Sequence, residues 1–146
     1  MENALLAIHV LAGILFVGPV AVTTSIFPRF ARAPADGGSV APGLAVATVL
    51  HRITRVYGIL ALVVPLVGLA LAAVQGRLGE VWITTAMVLT AVAGGLLALR
   101  IVPSQRDALA APLDGRGRRT LGMMTGLFNV MWAVVVVLMI VRPGAE

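Results

Sequence analysis

His9 is the side chain with the clearest chemical potential in this 146-residue sequence. It sits inside an apolar run, on a helical stripe shared with Gly13, Phe16 and Val20. A histidine in that setting can ligate a metal or a haem iron, carry a proton, or stay neutral and hydrogen-bond a neighbouring helix. His51 is the second histidine, but it directly precedes Arg52 in a basic segment. A bilayer would hold it roughly 20–30 Å from His9, and metal–nitrogen bonds are about 2 Å long. One ion cannot join the two within one chain.

Other reactive groups are scarce. Glu2, Asp36, Glu80, Asp107, Asp114 and Glu146 all lie outside the apolar runs, and there is no cysteine. A His/carboxylate metal site, a thiol nucleophile and disulfides are therefore not expected. A small transporter driven by a membrane-deep carboxylate lacks that group. No Gly-rich phosphate loop or Ser/His/Asp set is present, so no catalytic residue is assigned and enzymatic activity is not expected.

Four apolar runs must position these groups, at roughly 4–27, 56–74, 81–99 and 121–141. None contains Asp, Glu, Lys or Arg. At about 1.5 Å per residue, each is long enough to span the roughly 30 Å hydrocarbon core as a helix. The chain is 60% hydrophobic and 12% charged, against about a quarter charged in soluble domains. In water such helices would leave one large apolar patch outside. The expectation is an all-α, polytopic membrane protein, a single four-helix up-down bundle over residues 1–146.

Orientation follows from arginine, since the chain contains no lysine and its net charge is +5. Arg29, Arg32, Arg52 and Arg55 lie between the first two runs; Arg100, Arg106, Arg116, Arg118 and Arg119 lie between the last two. Only Arg77 and Arg142 fall elsewhere. The positive-inside rule puts the two basic connections in the cytoplasm and both termini outside, in a bacterial inner membrane. Arg29, Arg52, Arg55, Arg116, Arg118 and Arg119 are then lipid-headgroup contacts, and nucleic acid is not a partner. The acidic start, Met1-Glu2-Asn3, lacks a signal's positive region, so the first run reads as a retained helix.

Punctuation sets the boundaries. Pro28 is expected to end the first helix; Pro34, Gly37, Gly38, Pro42 and Gly43 make the first connection irregular. Residues 44–55 read as an amphipathic approach lying at the interface. Pro103, Pro112 and Gly115–Gly117 are expected to break up the second connection, and Pro143-Gly144 to stop the last helix. Trp82 suits an interfacial belt. Pro65 frees the carbonyl of Ala61 and kinks the second helix. Helices in lipid associate through small residues and interhelical hydrogen bonds. Gly122, Gly126, Asn129 and Ala133 share one face of the last helix, and Gly13, Gly18, Gly58, Gly68 and Gly94-Gly95 offer further smooth surfaces. That packing serves the bundle interior or a homodimer through Gly122 and Gly126. Tyr57 and Trp132 read as packing or interface residues.

Several stretches resemble a family of small bacterial membrane proteins known as domain of unknown function 2269. They are His9-Val-Leu-Ala-Gly-Ile-Leu-Phe-Val-Gly18-Pro19, Phe27-Pro28-Arg29, His51-Arg52-Ile-Thr-Arg55-Val-Tyr57-Gly58 and Pro65-Leu-Val-Gly68. Phe128-Asn129-Val-Met-Trp132-Ala and Met139-Ile-Val-Arg142-Pro143-Gly144 complete the set. The resemblance implies a four-helix membrane domain without an assigned activity. More distantly, the His-led first helix is similar to copper-resistance protein D and to J-type protoporphyrinogen oxidase, in which a first-helix histidine ligates haem. That likeness implies haem b or copper at His9 alone. The leading expectation is a structural or accessory membrane protein, self-associating or paired with another membrane protein; a redox-type module built on His9 is the alternative, then a small transporter.

Overall fold

Leucine, valine and alanine dominate four stretches, and each becomes one long helix. In the computed structural model, which describes residues 1–32 and 41–144, these are α1 (Glu2–Phe30), α2 (Pro42–Val74), α3 (Val81–Ala110) and α4 (Gly115–Val141). Pro34, Asp36, Gly37, Gly38 and Glu146 lie outside the described residues. The protein is all-α, with no strand among the described residues, and its four apolar helices make it a multi-pass membrane protein. Large side chains such as Val81, Leu99 and Ile140 are at least three-quarters exposed, a surface that lipid solvates and water does not.

The helices run past the expected boundaries, all toward the basic end, the end carrying the α1–α2 and α3–α4 connections. Pro28 lies inside α1, which continues to Phe30. The helix gains only one further turn after losing the proline's N–H, and the amide of Ala31 closes it on the carbonyl of Phe27 at 3.2 Å. Residues 44–55 are not a separate interfacial segment; they continue into the span as one helix to Leu60, because Ala47, Leu50 and His51 are buried there. Pro103 does not break α3 either. A π-helical turn at Leu97–Ile101 precedes it, and that wider turn makes room for a ring that would otherwise strike the preceding backbone. Gly115 and Gly117 fall in the first turn of α4, where the carboxylate of Asp114 accepts the Gly117 amide at 2.6 Å as a helix cap.

Two bends lie at the same depth of the first hairpin. In α1 a π-helical turn at Gly13–Val17 precedes Gly18-Pro19. In α2 the helix breaks at Ala61-Leu62, four residues before Pro65. The Ala61 carbonyl, denied its usual partner by the proline, accepts instead from the Val64 amide at 3.1 Å. The expected kink is present at the expected carbonyl.

Below these bends, toward the basic end, all four helices pack together. Val20, Phe27, Leu50, Leu97, Ile101, Leu121 and Phe128 form the buried core. The Thr23 and Thr54 hydroxyls, both buried, join α1 to α2 at 2.9 Å. Above the bends, α1 stays with α2 and α3 with α4, and the two hairpins scarcely touch except at the 75–80 turn that links α2 to α3. The bundle is closed at one end and forked at the other.

Candidate ligand pocket at the forked end

His9 lies on the α1 stripe that turns toward α2 within the fork, and it is buried. Its Nδ1 lies 3.0 Å from the Val64 carbonyl oxygen. A carbonyl can only accept, so Nδ1 carries the hydrogen. In the neutral ring Nε2 then holds a lone pair, and among the described residues it has no hydrogen-bond partner. The ring rests on bare backbone: a Cβ added at Gly68 would come within 2.8 Å of His9 Cε1 and 3.2 Å of Nδ1. Val64 and Gly68 are one turn apart in α2, so a single helical face supplies both the acceptor and the gap.

A cavity of about 460 Å³ opens between the hairpins, with His9 and Gly68 in one wall and Thr90 and Trp132 in the other. Its lining is mostly apolar. Trp132 packs edge-on against Phe128, ring centres 6.2 Å apart at 70°. At the rim stand Gln75, Trp82 and Arg142. Trp82 donates its indole N–H to the Glu80 carboxylate, which also pairs with Arg77 Nε at 3.4 Å. The Arg142 guanidinium lies 6.0 Å from the centre of the Trp82 ring, as a cation–π contact, and its Nε donates to the Met139 carbonyl at 3.3 Å. Of the two arginines outside the basic connections, Arg142 thus lines the cavity and Arg77 is linked to Trp82 through Glu80.

The remaining sequence-predicted residues divide by location. Pro65 lines the cavity beside His9. Gly13 and Gly18 bracket the α1 bend, half-exposed, with open space where a side chain would stand. Gly122 and Gly126 lie on the exposed outer face of α4, again with open space above them, while the inner face is Leu121, Thr125, Phe128, Met131 and Val135. Asn129 reaches sideways to α1, donating from Nδ2 to Ser25 Oγ at 2.9 Å. Arg29, Arg52, Arg55, Arg116, Arg118 and Arg119 are exposed at the basic end. His51 is buried at that same end, its Nδ1 3.1 Å from Gln105 Oε1, remote from the His9 cavity. Among the described residues, no three His, Asp or Glu side chains gather at one point.

Val64, Trp82 and Arg142 were not singled out by sequence as binding residues. A backbone acceptor leaves no mark on residue type. Arg142 did leave one, as an exception to the arginine bias. Compared with known proteins, the chain matches no family model, no curated protein and no solved structure.

Proposed function

We propose that the chain is an accessory protein of a bacterial inner membrane, its termini outside, that holds an amphipathic ligand in the His9 pocket. The observation that supports this reading is the histidine's bonding. An imidazole that donates Nδ1–H to a backbone carbonyl has its tautomer and ring plane fixed, and its Nε2 is prepared for a ligand. Haem b fits these residues: one nitrogen donor, two flanking indoles, apolar walls and a polar rim. Haem, held through His9, would supply one-electron chemistry when bound. A copper ion fits less well, because His9 is the only His, Asp or Glu among the described residues lining the pocket. The resemblance to domain of unknown function 2269 supports the membrane assignment without adding an activity.

The test is the absorption spectrum of protein purified from haem-replete cells and again after haem titration. A Soret band that disappears in His9→Ala carries the haem reading. Protein that stays colourless and takes up no haem removes it.

Self-association is a second reading, favoured by the open, lipid-facing position of Gly122 and Gly126 on α4. Small residues spaced by four allow two helices to approach backbone to backbone. Cross-linking in native membranes, wild type against Gly126→Leu, decides it; an equal dimer fraction in both would discard this face.

A further inference from the structure

We infer that the pocket selects ligands bearing an acid group, held by Arg142 at its rim. This rests on the His9 pocket being a binding site. Three features of Arg142 support it. First, the residue lies in the left-handed backbone region, φ 45°, ψ 59°, where a side chain costs about 1–2 kcal/mol over glycine. Helices commonly end in that conformation on glycine, so an arginine there needs a reason lying in its side chain. Second, the guanidinium is steadied by the Trp82 ring and by the Met139 carbonyl, which uses Nε alone. Among the described residues neither terminal nitrogen has a hydrogen-bond partner, and their forked geometry suits a carboxylate or phosphate. Third, Glu80, the carboxylate bonded to Trp82, is already engaged by Arg77, and no ion pair of Arg142 occurs among the described residues. A fixed cation above a mostly apolar cavity of about 460 Å³ is complementary to an amphipathic anion: acid at the rim, apolar body between the hairpins. The acid could belong to a free fatty acid or to a phospholipid headgroup; the recognition chemistry is the same.

The chain has two tryptophans, and both line this cavity, so tryptophan fluorescence reports on it. The probes are 9,10-dibromostearate and its methyl ester, whose bromines quench indole on contact, added to the full-length protein in detergent micelles at pH 8. Saturable quenching is expected, with the acid binding roughly tenfold tighter than the ester. Arg142→Gln should erase that preference, and Arg142→Lys should keep part of it. A variant that is not monodisperse and fully helical by circular dichroism is replaced by a salt titration of wild type, which should weaken the acid and leave the ester unchanged. Equal binding of acid and ester by wild type would overturn the role of Arg142 while leaving an occupied pocket. Saturable quenching by neither probe would sink both this inference and the amphipathic-ligand reading beneath it. Brominated phosphatidylglycerol, compared with brominated phosphatidylcholine, identifies the source. Preference for the glycerol lipid points to a headgroup, and quenching by the free acid alone points to a fatty acid.

Discussion

Restoring a methyl group at residue 68 would place carbon 2.8 Å from His9 Cε1, well inside van der Waals contact. The ring must then leave the α2 face, and the bond to the Val64 carbonyl breaks. Gly68→Ala is therefore expected to mimic His9→Ala in any His9-dependent signal, weakening a Soret band or probe binding at least tenfold, while Gly13→Ala, with open space at its Cβ, leaves it unchanged. Parallel titrations of the three variants check this. Asn129→Ala should lose the cross-helix bond to Ser25 and destabilise the bundle by about 0.6–2 kcal/mol, read by unfolding in mixed micelles. At this scale the sequence was informative about types and silent about partners. His9 and Asn129 stand out because polar groups are rare in apolar runs. The acceptor opposite His9 is main chain, and the value of Gly68 is an absence of atoms, so neither could be found without the fold.

The bends decide what the helices build. Pro65 and the π-helical turn before Pro19 lie where the α1–α2 hairpin parts from α3 and α4, with His9 still on Val64 beyond them. Pro65→Ala restores an amide that can pair with the Ala61 carbonyl. The expected outcome is a straighter α2, a narrower cavity and weaker dibromostearate binding, without loss of thermal stability. Equal affinity in the variant would show that the fork does not depend on this proline. At the other end, Asp114→Ala removes the α4 cap and should cost about 1 kcal/mol in the same unfolding measurement. The four spans and the Pro65 kink were legible because hydropathy and the missing N–H act locally. The continuation of α3 through Pro103 was not, since a π-helical turn forms from Leu97–Ile101, residues with no breaking signal of their own. Likewise Gly115 and Gly117 looked like loop, but a capping aspartate just before them starts a helix.

For the molecule as a whole, the arginine bias predicts an orientation that single cysteines can read, as the native chain has none. Gly115→Cys should resist a membrane-impermeant maleimide in intact spheroplasts, and Gly79→Cys should react; the reverse pattern would invert the proposed topology. The same bias has a second use. Seen against nine arginines at one end, Arg77 and Arg142 at the other are the exceptions, and Arg142 is the one proposed to hold an acid. The closed and forked halves also imply a mechanical asymmetry. The 75–80 turn links α2 to α3 across the fork, so the halves work like sprung tweezers, whose tips grip as far as that link allows while the packed end stays still. Amide hydrogens near the tips, in 2–12 and 63–74, should exchange quickly in the empty protein and slow when an object is held, with those around Phe27 and Leu121 indifferent to the grip.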